Sequence, residues 1–225
     1  MANLTRLKML ENLDAFLLVD KPEGIAFSTV VKTVKRKFNL IKVGHGGSLD
    51  TMASGLFIVL LNDANKFVDR VMGADRAYTG TLKFGVTTDT GDRYGRPVPL
   101  PDPVMPLSEA RGDIFQVEPR YCSVRREGAA EYEVAETGDH PQTLSHIYKF
   151  ELGEESNAGS DFTLVASKNL LPRALAFDLG ATLVSLRRTK IGKFDLKDAI
   201  PFARLLELPA DELAANVMPL SSALA

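Results

Sequence analysis

A run of six apolar residues, Leu56–Leu61, constrains the fold of this 225-residue chain more than any other stretch. An uninterrupted apolar run of this length predicts a strand that is covered on both faces. A second run, Phe16–Val19, is stopped by the turn formers of Asp20–Gly24 and predicts another buried strand. Because the remaining helix and strand patterns are interspersed without regular alternation, the sequence favours an α+β fold over a doubly wound sheet.

Helical spacing, strand formers and proline or glycine punctuation predict the other elements. We expect Ser28 to cap a helix whose apolar positions run from Val30 to Phe38. The other predicted helices are Ala64–Met72, Leu107–Ile114, Pro172–Leu179 and Pro201–Leu208. The other predicted strands are Ala77–Val86, Ile147–Leu152, Phe162–Ser167 and Thr182–Leu186, with a turn over Gly153–Ser160.

Composition limits the kinds of site that the chain can build. A single cysteine, Cys122, excludes an intramolecular disulfide, and the scattered His45, His140 and His146 do not indicate a zinc cluster. Neither a P-loop nor a dinucleotide fingerprint is present, so we expect no metal, no nucleotide cofactor and no other cofactor. No segment is apolar for long enough to span a membrane, and residues 1–14 lack the apolar run of a signal peptide. We therefore expect a soluble, cytoplasmic protein, and the sequence leaves open a bacterial cytoplasm or an organelle and the oligomeric state.

Charge is unevenly distributed along the chain. The formal net charge of −2 does not by itself predict a nucleic-acid partner. Residues 29–45, however, carry basic side chains and no acidic one, namely Lys32, Lys35, Arg36, Lys37 and Lys42. A second basic cluster consists of Arg187, Arg188, Lys190 and Lys193, whereas Glu131–Glu155 is rich in acids. This segregation indicates one positive face, although a solvated helix face explains either cluster alone equally well.

The segment Gly44–Gly55 places one carboxylate, Asp50, in a run of glycines and small residues. Small residues allow a ligand to approach the backbone closely, so this segment is a candidate site. The alternative is that Asp50 caps a short helix and that the glycines only turn the chain. Spacing alone does not distinguish the two interpretations.

A series of short motifs surrounds this segment in a recognisable order. The central motif is Lys42–Asp50, followed by Ala53 and Gly55. The other motifs are Val19–Gly24, Ala64 with Lys66, Tyr78, Gly85–Gly95, Tyr121–Tyr132, Ser167–Lys168, Arg173, Asp178–Gly180 and Leu186–Phe194. In this order they resemble the TruB family of tRNA pseudouridine synthases, and the central motif resembles the catalytic signature of that family. The similarity extends from Phe16 to Phe194 and is strongest over residues 16–95.

The resemblance implies an α+β pseudouridine synthase fold, with a mixed, largely antiparallel central sheet flanked by helices and loops. It also implies an isomerase that converts a uridine of RNA to pseudouridine, most often position 55 in the T-loop of tRNA. The expected partner is therefore RNA, and tRNA in particular. We expect residues 1–225 to form a single catalytic domain without the C-terminal PUA domain that is common in the family.

Catalytic roles follow from the resemblance for three residues. Asp50 would be the nucleophile, and the guanidinium of Arg173 would keep it ionised. Tyr78 would stack on the uracil and assist the removal of the C5 proton. Taken singly, Tyr78 is better explained as an ordinary strand aromatic and Arg173 as a surface helix residue; the order of the motifs taken together favours the catalytic roles.

Substrate-binding roles are implied for five further residues. Leu186 would line the pocket, unless it is simply a core residue, and His45 would contact RNA near the flipped nucleotide. Lys21 would support the catalytic loop or touch RNA. Gly47 and Ser48 would bind the substrate from within the loop.

Some positions depart from the family pattern. Gly46 stands where a threonine is usual and Thr51 where a proline is usual, and both changes increase backbone freedom. The segment Asn169–Pro172 differs from the sequence that normally precedes the arginine, and Arg125 replaces a lysine. These departures leave an alternative function open: a catalytically weak or inactive RNA-binding paralogue that acts in RNA processing or ribosome assembly. In the loop Gly85–Gly95 we expect two aspartates, Asp89 and Asp92, to order the backbone by Asx-type hydrogen bonds rather than to catalyse.

Overall fold

The computed structural model of the chain describes residues 13–67, 73–102, 104–117 and 142–221. It divides into two compact units. The first unit comprises the chain up to Ala74 together with the segment that begins at Arg188, and the second unit comprises Asp75–Arg187.

The described residues form short helices and mainly antiparallel strands. The α-helices are α1 (Phe27–Lys37), α2 (Pro172–Asp178), α3 (Phe202–Glu207) and α4 (Ala210–Leu213). Short 3₁₀-helices lie at Asn62–Phe67, Leu107–Glu109, Leu196–Asp198 and Ala214–Asn216. The strands are β1 (Ala15–Lys21), β2 (Val43–His45), β3 (Ser54–Leu61), β4 (Arg76–Phe84), β5 (Thr87–Thr88), β6 (Pro97–Val98), β7 (Gly112–Val117), β8 (Gln142–Ser156), β9 (Gly159–Ala166), β10 (Ala181–Ile191), β11 (Phe194–Asp195), β12 (Ile200–Pro201) and β13 (Met218–Pro219).

Strands β1 and β3 form the centre of the first unit. They pair antiparallel, with Leu18 opposite Ile58. Every residue of Leu56–Leu61 is buried, which confirms the strand predicted from this apolar run. Strand β2 pairs antiparallel with the other edge of β3, and β12 pairs in parallel with β1. Burial on both faces explains why neither central strand shows an alternating pattern.

Helix α1 belongs to the first unit and packs there through its apolar face. Val30, Val34 and Phe38 are buried, as the helical spacing predicts, whereas Val31 is half-buried. Thr33 is buried as well. The predicted cap is wrong: the helix begins at Phe27, and the residue before it makes no side-chain capping bond. The Phe27 ring lies 4.9 Å from the ring of His45, and this aromatic contact accounts for a helix start ahead of Ser28.

The second unit contains an antiparallel ladder in which β4 pairs with β9, β9 with β8, and β8 with β7. Helix α2 begins with Pro172 at its first position, and Gly180 follows it with φ +64°. This arrangement confirms the predicted helix, because proline loses no needed hydrogen bond there and glycine tolerates a positive φ.

Some predicted boundaries are wrong. Leu107–Ile114 is a single 3₁₀ turn followed by β7, in which Ile114 and Gln116 are buried and their neighbours are exposed. This alternation is the period of a strand, so the helical interpretation of that segment mistook the period. The strand predicted to end at Leu186 continues to Ile191. The turn predicted over Gly153–Ser160 is narrower, because β8 continues to Ser156 and β9 begins at Gly159.

Other predictions concern residues outside the described part of the chain. These are the N-terminal segment, the second half of the predicted helix Ala64–Met72, the motif Tyr121–Tyr132 with Arg125, and the side chains of Cys122 and His140. Within the described residues, Ala64 lies in the 3₁₀ turn rather than in an α-helix. Helices and a mixed, largely antiparallel strand pairing together confirm the α+β class.

Candidate active site

The loop that carries Asp50 connects β2 to β3 in the first unit. Three backbone hydrogen bonds hold it: Gly46 N–H donates to Ile58 O (2.8 Å), Ala53 N–H to Asp50 O (3.1 Å) and Gly24 N–H to Thr51 O (2.8 Å). No helix follows, because β3 begins at Ser54, so Asp50 is not a helix cap. The two departures from the family pattern, at Gly46 and Thr51, therefore both lie at points where the backbone is anchored.

Asp50 is half-buried between side chains that fix the loop on the unit. Leu49 and Met52 on either side are buried, whereas Thr51 is exposed. A carboxylate in such a position stays accessible to a ligand, while its neighbours prevent the loop from swinging away. The geometry suits a group that must react without moving.

Two glycines of the segment have positive φ angles that other residues rarely adopt. The φ of Gly47 is +107° and that of Gly55 is +104°. At Gly55 an added Cβ would also lie 2.7 Å from the backbone nitrogen of Arg188. Gly55 is therefore required for a close approach of two backbones and not only for a turn.

The side chain of Lys21 holds the turn after β1, and this turn contacts the loop through the bond from Gly24 N–H to Thr51 O. Lys21 is fully buried, and its Nζ donates to Pro22 O (2.9 Å) and Ile25 O (2.7 Å). Burial lowers the pKa of Lys21 to about 8, while the negative charge of Asp50 acts in the opposite direction. The Lys21 amine and the Asp50 carboxylate therefore interact electrostatically. Of the two roles that the sequence left open for Lys21, this inward geometry favours support of the loop, and a contact with RNA stays a prediction.

Sequence reasoning missed a second buried cation, Arg188. It is 1% exposed, so it is not part of an exposed basic cluster as the charge pattern suggested. Its guanidinium donates to three backbone carbonyls, Nε to Leu56 O (2.8 Å), Nη1 to Ser48 O (3.0 Å) and Nη2 to Gly47 O (3.4 Å). The signal that could have found it is the period of two along β10, which places Arg188 on the same face of the strand as the buried Leu186.

His45 belongs to an aromatic group beside the loop. It pairs with Val59 across β2 and β3, and its ring stacks on that of Phe57 at 5.8 Å with an interplanar angle of 26°. Phe27 contacts both rings. His45 is half-buried, so an RNA contact by its remaining surface stays a prediction.

In the second unit, Tyr78 and Leu186 lie on the adjacent strands β4 and β10. Tyr78 is 4% exposed and pairs with Leu164 of β9. Leu186 is 5% exposed. A hydrogen bond from Ser185 Oγ to Thr81 Oγ1 (3.1 Å) joins the two strands. Both side chains therefore stand on rigid elements, and their roles toward uracil stay predictions.

Arg173 occupies the second position of α2. It is almost buried, and its Nη1 donates to Thr90 O (2.7 Å). The backbone of Gly91 packs against that of Arg173, since an added Cβ at Gly91 would lie 2.8 Å from the Arg173 carbonyl oxygen. The interpretation of Arg173 as a surface helix residue is therefore wrong. Its role as a counter-charge stays a prediction.

The segment before Arg173 is held despite its unusual sequence. Gln116 is fully buried, and it receives a hydrogen bond from Leu171 N–H (3.0 Å) and donates one to Leu171 O (3.2 Å). This two-point contact fixes the backbone immediately before Pro172. The departure at Asn169–Pro172 thus has its own local support.

Loop residues 88–96 are ordered by their aspartates, as predicted. Asp92 Oδ1 accepts hydrogen bonds from Thr90 Oγ1 (2.8 Å) and from Tyr94 N–H (2.9 Å). Asp89 Oδ1 accepts one from Arg96 N–H (2.8 Å). The Asp92–Tyr94 bond is of the Asx type, whereas the Asp89–Arg96 bond closes the loop across seven residues. Together they order the loop whose Thr90 carbonyl accepts the hydrogen bond from Arg173.

The predicted site residues divide between the two units. The first unit holds Lys21, His45, Gly47, Ser48 and Asp50, and the second holds Tyr78, Leu186 and Arg173. Across the described residues there is no group of three or more His, Cys, Asp or Glu side chains that could hold a metal ion. In the same part of the chain, no helix has the length and apolarity needed to cross a membrane.

Sequence comparison identifies similar proteins. A family model described as "TruB family pseudouridylate synthase (N terminal domain)" matches residues 35–170. The "tRNA pseudouridine synthase B" of Aromatoleum aromaticum (strain DSM 19018 / LMG 30748 / EbN1) is 34% identical over 225 residues, which cover 93% of this chain and 73% of that protein. The protein of the same name from Opitutus terrae (strain DSM 11246 / JCM 15787 / PB90-1) is 33% identical over 231 residues, which cover 95% of this chain and 95% of that protein.

Solved structures show the same fold. The "Crystal Structure of a Cbf5-Nop10-Gar1 Complex" aligns with a TM-score of 0.67 at 22% identity, covering 95% of this chain and 62% of that chain. The "Structure of H/ACA RNP bound to a substrate RNA containing 2'-deoxyuridine" aligns with a TM-score of 0.65 at 23% identity, with coverages of 95% and 61%. The chain therefore spans less than two thirds of those chains, and the likeness confirms the predicted fold.

Proposed function

The chain belongs to the TruB family of pseudouridylate synthases and is an RNA pseudouridine synthase; on this premise we propose that it modifies uridine 55 in the T-loop of tRNA. The similar proteins named tRNA pseudouridine synthase B support tRNA as the substrate. The family match at 35–170 includes residues of both units, which supports the further proposal that the chain acts as one catalytic domain.

The reaction is an isomerisation. The bond between ribose C1′ and uracil N1 breaks, a bond between C1′ and C5 forms, and the proton of C5 is lost while N1 gains one. No atom is added, so the chain has to supply a nucleophile, a group that helps the proton to leave, and a pocket for the extruded base. Extrusion of the base costs a few kcal/mol of stacking, and an apolar or aromatic pocket offsets part of that cost.

The placement of Asp50 is the observation that carries the proposal. Its half-buried carboxylate lies on a loop with three backbone anchors, and the buried ammonium of Lys21 is close enough to sense its charge. A carboxylate oxygen in this position can attack a ribose carbon that is brought to the loop. We propose Asp50 as the nucleophile of the reaction.

The second unit supplies the candidates for the other catalytic tasks. Tyr78 offers a phenol on a rigid strand and serves, in this proposal, to stack on uracil and to assist removal of the C5 proton. Arg173 offers a guanidinium whose Nη1 donates to Thr90 O, and it serves as the counter-charge of the nucleophile. Leu186 contributes apolar lining.

RNA binding is assigned in this proposal to the exposed basic face of α1 and to the residues around the loop. Lys32, Lys35 and Arg36 are exposed on the helix, while its apolar face is buried. Lysine and arginine side chains displayed in this way neutralise backbone phosphates. His45, Gly47 and Ser48 contact the nucleotides next to the extruded uridine in the same proposal.

A T-loop RNA that carries 5-fluorouridine at the target position tests the proposal. We expect the wild-type protein to form a stable complex or a rearranged product with this RNA. Asp50→Asn should abolish both, because the amide is not a nucleophile. The matched control is Asp198→Asn, which removes an exposed carboxylate of the first unit and should behave as wild type.

The outcome that contradicts the proposal is equally specific. If neither tRNA nor T-loop RNA yields pseudouridine or the fluorinated product with the wild-type protein, tRNA is the wrong substrate. If Asp50→Asn retains the product yield of the control variant, Asp50 is not the nucleophile.

A further inference from the structure

Arg188 is the one fully buried arginine among the described residues, and its donors point in two directions. Nε reaches the carbonyl of Leu56 on β3, while Nη1 and Nη2 reach the carbonyls of Ser48 and Gly47 in the loop. A single planar group thereby joins the strand to the loop. The two loop carbonyls belong to the residues that lie two and three positions before Asp50.

Only arginine can make this connection. Its guanidinium presents several N–H donors in a rigid plane, whereas the ammonium of lysine is a compact point charge on a flexible stem. A buried cation also has to be compensated by hydrogen bonds, and here backbone carbonyls serve that purpose. Replacement of the guanidinium would therefore release the loop carbonyls even if the positive charge were kept.

The backbone of Arg188 is fixed from the opposite side. Gly55 approaches it so closely that an added Cβ would lie 2.7 Å from the Arg188 backbone nitrogen. Gly55 is the second residue of β3, and Asp50 lies five positions before it. Both ends of the arginine thus contact the strand and loop that flank Asp50.

We propose that Arg188 is a positioning residue for the reaction, which holds the Asp50 loop in its reactive geometry through the carbonyls of Gly47 and Ser48. The inference rests on the proposed role of Asp50 as the nucleophile. Arg188 does not act on the substrate itself. Its contribution is to remove the freedom that two glycines, Gly46 and Gly47, give to the loop.

The direct test is Arg188→Lys, which keeps the charge and loses the planar donors. We expect kcat on T-loop RNA to fall by roughly ten- to a hundredfold, because small displacements of a reacting group are costly in rate. KM should change less than about threefold, since phosphate contacts rather than the loop supply most of the RNA affinity. The matched control is Arg204→Lys on α3, which makes the same change at an exposed ion pair with Glu207 and should leave kcat unchanged.

Hydrogen exchange separates positioning from a general loss of stability. With Arg188→Lys, the amides of Gly46–Ala53 should exchange faster, while those of β8 and β9 in the second unit should keep their wild-type rates. Arg188→Gln serves as a second variant if the lysine variant does not fold, and it should show the same local pattern. Faster exchange throughout both units, with kcat restored on cooling, would show a purely structural role and overturn the inference.

Two further outcomes are decisive. Wild-type kcat in a folded Arg188→Lys variant would also overturn the inference. Failure of the underlying function looks different, because the wild-type protein itself would then give no product and Asp50→Asn would not differ from it.

Discussion

The buried amine of Lys21 makes a quantitative prediction about pH and stability. Burial lowers the pKa of this lysine from 10.5 to about 8 in the folded protein. Below pH 8 both the folded and the unfolded chain hold the proton, and the folded state bears the full cost of burying the charge. Between pH 8 and 10.5 the folded protein has released the proton while the unfolded chain still binds it, so this group makes stability rise with pH.

The size of the effect follows from the two pKa values. Their difference corresponds to about 3 kcal/mol at pH 7, of which about 2 kcal/mol is regained by pH 9.5. Because the effective dielectric constant around a buried charge is well above that of a dry interior, we expect an observed rise of about 1–2 kcal/mol.

The assay compares the wild type with Lys21→Met. This substitution removes the titrating group together with its bonds to Pro22 O and Ile25 O, so the absolute stability difference at one pH mixes two effects. Urea unfolding at several values between pH 7 and 9.5 isolates the titration. The free energy of unfolding of the wild type should rise relative to the variant across this range. Lys32→Met on the exposed face of α1 is the control and should show a constant difference.

A flat or falling difference between the wild type and Lys21→Met would show that burial does not lower the pKa of Lys21. Asp50→Asn extends the test, because the charge of Asp50 acts to raise the pKa of Lys21. Its removal should lower that pKa further, so the rise in stability should begin at a lower pH. If the rise stayed at the wild-type pH, Asp50 and Lys21 would not be electrostatic neighbours.

Other substitutions test separate parts of the account. Burial raises the pKa of Asp178 to about 6, so its ionised form costs stability above that pH. After allowance for solvent screening, Asp178→Asn should stabilise the protein at pH 7 by about 1–2 kcal/mol and much less at pH 4; an equal gain at both values in urea unfolding would contradict this. Gly55→Ala should lower the free energy of unfolding by about 2–4 kcal/mol, because it combines a φ of +104° with a clash against Arg188. A loss below about 0.5 kcal/mol in the same assay would mean that the close approach is not required. Reversal of the charges of Lys32 and Lys35 to glutamate should weaken binding of T-loop RNA. It should also reduce the slope of log K against log salt by about one for each phosphate that the protein no longer neutralises. Unchanged affinity and slope would exclude α1 from the RNA interface.

The predictions were correct for helices and strands whose residue pattern is fixed by a single physical requirement. The apolar run Leu56–Leu61 corresponds to a strand because burial on both faces leaves no room for polar residues. Helix α2 was equally predictable, since Pro172 and Gly180 mark its two ends. The failures arose where a tertiary contact overrides the local signal. Contacts of the Phe27 ring account for a helix start ahead of Ser28.

The site was predictable as a set of residues but not as a structure. Motif order identified Asp50. No local pattern shows that Lys21 and Arg188 are both buried, or that Arg188 donates to the loop of Asp50. Charged residues are normally exposed, so a sequence interpretation places them at the surface by default. The hydrogen bonds from Arg188 to loop carbonyls connect residues about 140 positions apart in the sequence, and only the fold brings such groups together.

Pseudouridine mapping of total RNA is the sharpest test of whether this protein uses Asp50 to modify tRNA. The comparison uses cells that carry the wild-type gene, cells that lack it, and cells that carry Asp50→Asn. We predict that one T-loop uridine, at position 55 of tRNA, is converted in the first case and stays uridine in the other two. Identical pseudouridine profiles in all three would contradict the claim that this protein uses Asp50 to modify tRNA.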